Sequence, residues 1–342
     1  MPLYSAALAQ AASWGTLVAP GANGKIPILG EDWKEVPRYS ELREVVETAG
    51  HDRGEIKRRV RTFREFTGTM RGSAYYSGLH PILLAAFGAY AEVSAPPVTQ
   101  RTYGTSIPSP AMWHSVGLDR RSDVWQVDTA IVRKFSLAGE LGKRATWNVD
   151  MLGHALESGS ALDPDDWTFE GGDGIFDLPV VYLSAATEFL IGAFSTSASL
   201  SSGNAKALRG FTADLAYTLL GGENTEYEED KAGEPAWGTT TASGSFRFNR
   251  YDDDLVTWAA NQTRLMAMLT FTGADKGGAP YLFRVLFPRI YIDLESAASG
   301  PGMIRPQVRW RSEYGISTTA DQPSGFPTGQ NGRSSFLIVN HI

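Results

Sequence analysis

The chain has 342 residues, 42% hydrophobic and 20% charged, a length that predicts two domains, each with its own core. Its net charge of −7 argues against tight binding of phosphates. Cysteine is absent, which excludes disulfides, thiolate metal sites and a cysteine nucleophile, and agrees with folding in a reducing cytoplasm.

In chain order, residues 1–25 carry Pro20-Gly21-Ala22-Asn23-Gly24 and are expected to form an N-terminal arm with little core of its own. The opening has no basic n-region, and no run nears the roughly 18 apolar residues of a membrane helix, so no membrane partner is expected. A first β domain is expected over 26–160. Ile26-Pro27-Ile28-Leu29 starts a strand, and the charged stretch Arg53–Arg64 reads as a solvated loop or face. From Phe63 to Ser73 alternation and small residues predict a long strand, and Pro81 suits the first turn of a short helix. Val93–Pro110 reads as a loop. Val124–Leu137 and Arg144–Leu152 read as a hairpin around Gly139-Glu140-Leu141-Gly142.

Residues 161–180, rich in Asp, Gly and Pro, are expected to be a linker. A second β domain is expected over 181–315, with small-residue strands at Phe194–Ser201 and Thr239–Phe248 and an acidic loop at Glu223–Asp230. Asp252, Asp253 and Asp254 cap a helix, and strands follow at Arg264–Thr272 and Tyr281–Leu294. Residues 316–342 form a C-terminal arm ending in Phe336-Leu337-Ile338-Val339, a candidate inter-subunit strand able to add to a neighbour's sheet. The fold class is therefore mainly β, as two tandem β-sandwiches, each with one short helix.

A repeat supports the tandem reading. Gly72-Ser73 recurs as Gly244-Ser245, 172 residues on, and Ala85-Ala86 recurs as Ala259-Ala260, 174 residues on. In both copies a Gly-Ser pair precedes a turn and a helix. A period this long suits a duplicated domain, not a solenoid.

Catalytic chemistry has no foothold. There is no phosphate-binding glycine loop and no nucleophile elbow. The five His are scattered, and His114 beside Trp113 reads as packing or surface, not as a ligand. The acids from Asp163 to Asp177 miss calcium-loop spacing. No enzyme activity, metal or cofactor is expected.

The order of Trp14-Gly15-Thr16, Ile26-Pro27-Ile28-Leu29-Gly30-Glu31-Asp32-Trp33, Leu83-Leu84-Ala85-Ala86-Phe87-Gly88, the hairpin at Phe135–Glu140 and the strand Trp147–Gly153 resembles the tail tube (major tail) proteins of long-tailed bacteriophages. The resemblance covers residues 14–155 and, more weakly, 190–312. It implies a virion structural protein, assembled in the host cytoplasm, whose strands join those of neighbouring subunits into a ring-forming β-barrel. Rings stack into a tube through which dsDNA passes without tight binding. The implied partners are further copies of the chain and other tail proteins: tape measure, terminator and distal tail. A duplicated chain implies trimeric rings with pseudo-sixfold symmetry, the alternative being a hexamer. Other readings are a distal tail or joining protein of the same fold, or a solitary β-sandwich that binds carbohydrate.

On the tube reading, the small hydroxyl-rich strands would line the channel, with Thr67, Thr69, Ser73, Thr239, Thr241 and Ser243 as candidates and the run Ser195–Ser199 as a further one. Asp128, Asp150, Asp293 and Glu295 are candidate acids of a negative lumen. Arg71 and Arg247 are expected to pair with carboxylates or to face away.

Overall fold

Antiparallel pairing carries nearly the whole chain. The computed structural model describes residues 5–48, 51–95, 98–104, 112–170, 179–184, 186–220, 234–249, 252–276, 278–295, 307–313, 324, 326 and 337–341; the side chains of 36–65, 95, 98, 220, 276 and 337–341 lie outside that description. The first half contains β1 (Ser5–Gln10), β2 (Lys25–Pro27), β3 (Gly30–Thr48), β4 (His51–Ser73), α1 (His80–Phe87), β5 (Tyr90–Ala95) and β6 (Val98–Gly104). It continues through β7 (His114–Asp119), β8 (Val124–Glu140), β9 (Thr146–Gly153) and β10 (Leu156–Ser158). The second half contains β11 (Glu188–Ala193), β12 (Leu208–Leu220), β13 (Ala236–Phe248), α2 (Asp253–Ala260), β14 (Leu265–Lys276), β15 (Ala279–Leu294), β16 (Gln307–Ser312) and β17 (Leu337–His341).

The two halves repeat one strand order. In the first, β3 pairs β4, β4 pairs β9, β9 pairs β8, β8 pairs β7 and β7 pairs β1. In the second, β12, β13, β16, β15, β14 and β11 pair in the same succession. The helix follows β4 in one half and β13 in the other.

The repeated glycine has a physical cause. Gly72 stands opposite Trp147 and Gly244 opposite Trp310, and each indole lies over its glycine. A Cβ on Gly72 would sit 2.4 Å from the Pro27 carbonyl oxygen and 2.6 Å from the Trp147 ring. On Gly244 it would sit 2.0 Å from the Thr212 oxygen and 2.9 Å from the Trp310 ring. Both indoles donate to backbone across the sheet, Trp147 Nε1 to Ser73 O at 3.0 Å and Trp310 Nε1 to Thr212 O at 3.2 Å. The two tryptophans are therefore buried without an unmet donor.

The halves are also joined. Lys134–Glu140 of β8 pairs with Gly210–Ala216 of β12, and one apolar cluster takes Phe135 and Trp147 from the first half with Phe211 and Phe246 from the second. Tyr217 Oη donates to the Ala86 carbonyl of α1 at 2.7 Å, a buried bond between halves. His114 is buried, its Nδ1 3.2 Å from Met112 O, and desolvation lowers its pKa to about 4 despite that bond. It is a packing residue, as expected.

Several expectations need correction. Residues 5–10 are not a coreless arm: β1 pairs with β2 and β7 and buries Ala6, Ala7 and Leu8. Of the loop or face expected at Arg53–Arg64, the loop is excluded: the stretch is strand, β3 and β4 pairing along their length with Glu41 opposite Arg59. Val93–Pro110 contains a hairpin, β5 with β6. The expected linker is packed over 161–170: Trp167 and Phe169 are buried, Lys25 bridges to Phe169, and Glu170 pairs with Arg101. Phe194–Ser201 is not a strand. The terminal strand β17 pairs within its own chain, between β15 and β6, instead of extending outward. Phe336 and the loop Glu223–Asp230 lie outside the described residues.

Gly72→Ala and Gly244→Ala should each lower stability by about 1–3 kcal/mol, because backbone blocks the new methyl. Gly21, with no heavy atom within 4 Å of its virtual Cβ, is the control. Urea denaturation midpoints measure this; glycine variants matching Gly21→Ala would contradict it.

Candidate functional site

The joint between halves makes eight strands continuous, in the order β3-β4-β9-β8-β12-β13-β16-β15. Directly paired residues share a face, so rows of side chains can be followed across it. One row runs Gly72, Trp147, Leu137, Ala213, Gly244, Trp310, Ile292. Its large side chains are all buried. That face is core.

The neighbouring row faces the other way: Gly30, Arg71, Asn148, Ser136, Asp214, Ser243, Arg311, Tyr291. To one side lie Thr69, Asp150, Lys134, Ala216 and Thr241. To the other lie Thr146, Ala138, Thr212, Ser245, Arg309 and Asp293. The result is one polar surface, hydroxyl-rich and charged, shared by both halves. A shallow depression of about 400 Å³ on its second half is lined by Asp214, Ser243, Asp293, Arg309 and Arg311 among others.

Of the candidate lining residues, Thr69, Asp150, Thr241, Ser243 and Asp293 come together on this face, and Thr239 continues it along β13 with Thr239 Oγ1 donating to Thr218 Oγ1 at 3.3 Å. Glu295 follows β15 and pairs with Arg309. Thr67 is half-buried opposite Leu152, and Ser73, opposite Thr146, shares this face but is buried, as is Ser245. Asp128 is elsewhere: buried on the N-terminal part of β8, 3.6 Å from His154 Nδ1. Ser195–Ser199 lies off the sheet in a non-strand segment.

Charges of both signs interleave here. Lys134 pairs with Asp214 at 3.6 Å across the joint, and Arg247 with Glu140 at 3.7 Å, as expected for Arg247. Arg311 donates to Gln262 Oε1 at 3.1 Å. Glu140 is held below the usual carboxylate range by a hydrogen bond from Lys143, then by the Lys143 charge, with Arg247 and Arg209 adding. Of the two outcomes expected for Arg71, a carboxylate partner is not found: it is exposed on this face and, among the described residues, has no ion pair. Its side chain lies against Gly30, where a Cβ would be 3.3 Å from Arg71 Nε.

The residues missed from sequence belong mostly to β12 and β16: Thr212, Asp214, Arg309 and Arg311. A signal existed in β12, where Phe211, Ala213, Leu215 and Tyr217 alternate with Thr212, Asp214 and Ala216 at strand period. The structure buries the first set and turns the second outward.

A family model described as phage tail tube protein matches residues 5–312. The chain belongs to that family, and is accordingly a structural component of a phage tail tube. No curated protein matches its sequence.

The joint depends on Gly139, directly opposite Phe211, where a Cβ would lie 2.5 Å from the ring. Gly139→Val should cost about 1–3 kcal/mol, and Phe211→Ala in the same chain should relieve part of that cost. A double-mutant cycle from denaturation curves measures the coupling; strictly additive costs would contradict the contact.

Proposed function

We propose that this tail tube protein assembles as trimeric rings with pseudo-sixfold symmetry, that the rings stack into a tube, and that the polar face of the eight-stranded sheet lines its channel. The observation that carries this reading is the repeated strand order, with each half supplying four strands to one continuous sheet. Each half is then one of two tandem tube domains, and three chains supply six equivalent units. The same observation disfavours a hexamer in which one domain lines the channel and the other decorates the outside.

The chemistry of the face suits dsDNA in transit. Tight binding needs Lys and Arg free to displace the counterions of phosphate. Here Lys134, Arg247 and Arg309 are held by Asp214, Glu140 and Glu295, and hydroxyl groups separate them. Arg71 and Arg311 have no carboxylate partner among the described residues, so the lumen would carry charge of both signs, with Asp150, Asp214 and Asp293 interleaved among the cations. DNA would slide because the unpaired cations are few and set among hydroxyl groups and acids.

Residues 1–4 and 327–336 are proposed to contact adjacent rings, with tape measure, terminator and distal tail proteins meeting the tube inside and at its ends. Assembly would take place in the host cytoplasm. A distal tail or joining role, or carbohydrate binding by a solitary sandwich, is less well supported, because both leave the continuous polar face without a use.

Negative-stain microscopy of the concentrated pure protein tests the reading. Rings or tubes with an axial channel are expected. Compact monomers at every concentration and salt would overturn it.

A further inference from the structure

We infer that the ring closes by repeating, between copies, the strand pairing that joins the halves within one copy, so that Gly30 of β3 lies opposite Tyr291 of β15 in the next chain. This rests on the tube reading and gives it a register.

Among the described residues, both edges of the eight-stranded sheet are open where their internal counterparts are closed. β12 has β13 on one side and β8 on the other. Its counterpart β3 pairs only with β4 among the described residues. The C-terminal part of β8 lies between β9 and β12. The matching stretch of β15, from Tyr291, has β16 on one side, while β14 stops at Ile290 and β17 at Leu286. An open strand edge presents unpaired N–H and C=O groups and recruits another strand. A second copy of this chain brings the matching edge.

The glycine–tryptophan pairs fix the register. Trp147 faces Leu137, and Trp310 faces Ile292, so Ser136, one residue before Leu137, corresponds to Tyr291. Gly72 corresponds to Gly244, so Arg71 corresponds to Ser243. Their partners across the ladder, Gly30 and Asp214, therefore correspond as well. Within the chain Ser136 stands opposite Asp214; between chains Tyr291 stands opposite Gly30. The open stretch of β15 begins at Tyr291, because β14 occupies the same side up to Ile290.

Two further features mark the β3 edge. Leu29 N–H bonds to Arg71 O at 2.7 Å beside the Gly30–Arg71 pair, which leaves Leu29 as an extra residue there, 56% exposed. Trp33 corresponds to Tyr217, whose hydroxyl reaches the last turn of α1 across the joint; the Trp33 indole is instead packed against Gly68 and Gly153, its N–H buried and without an acceptor among the described residues.

The cysteine-free chain allows a clean test. Tubes of the Gly30→Cys, Tyr291→Cys variant, seen by microscopy when reduced, are oxidised and run on a non-reducing gel. Opposed residues of adjacent strands are within disulfide reach. Covalent three-chain species are expected, while Lys34→Cys with Tyr291→Cys should stay monomeric. Ser136→Cys with Asp214→Cys should close within one chain as the positive control. If the first pair blocks assembly, Leu29→Cys with Tyr291→Cys tests the same edge, Leu29 being the exposed extra residue beside Gly30. Tubes that form without cross-linking in either pair, or that cross-link through Lys34, would overturn the register and leave the tube reading standing. Failure of the unsubstituted chain to form tubes would overturn both.

Discussion

The structure depends on seven residues of β8 pairing with seven of β12, Lys134–Glu140 with Gly210–Ala216. Without that ladder each half would end in an open strand edge, and the shared core would be split. The pairing is locked in register because one face is apolar: a slip by one residue would turn Leu137, Ala213 and Leu215 outward. Gly139 and Phe211 tighten the lock, since the ring occupies the space a larger residue would need. Tyr217, bonded to Ala86, holds the same joint from the core side. Breaking a buried bond of this kind leaves a polar group unpaired, at a cost of about 1–3 kcal/mol.

The two halves share a frame of strand pairings but not every contact. The glycine–tryptophan pairs are the same in both halves, because an indole packed on a backbone admits only glycine opposite it. Elsewhere chemistry has diverged at matched positions. Leu215 is core in the second half, whereas its counterpart Glu31 takes two hydrogen bonds from Arg120, at 2.7 and 2.9 Å. That guanidinium also lies 4.5 Å from the Trp125 ring centroid. The first half adds the β5–β6 hairpin, and the second half meets it through β17. Two unequal copies can thus close one pseudo-symmetric sheet while presenting different outer surfaces.

Local rules made part of this legible in sequence. The strand at Thr239–Phe248, the hairpin after Val124 and the helix behind Asp252 follow from alternation, turn residues and capping, and Asp252 does accept from the Asp254 N–H at 2.9 Å. Charge misled where pairing partners were distant in composition but adjacent in space, as in the β3–β4 hairpin. The small residues at Ser195–Ser199 mimicked a strand; there the Ser195 hydroxyl bonds to its own following backbone, accepting from Ala198 N at 2.9 Å, the habit that draws serine into turns. The Gly-Ser repeat was visible, but its cause was not, because the tryptophans lie 75 and 66 residues further on. For the polar face, Thr69, Thr241 and Ser243 could be found by size and hydroxyl content. Arg309 and Arg311 could not, since only the ladder brings Arg309 to the Glu295 carboxylate and Arg311 to the neutral Gln262 amide.

The central claim is that one chain is two units of a six-unit ring. Native mass spectrometry of isolated single rings tests it most directly. The account predicts a ring mass three times the 37.1 kDa of the chain; a ring of six chains would contradict it.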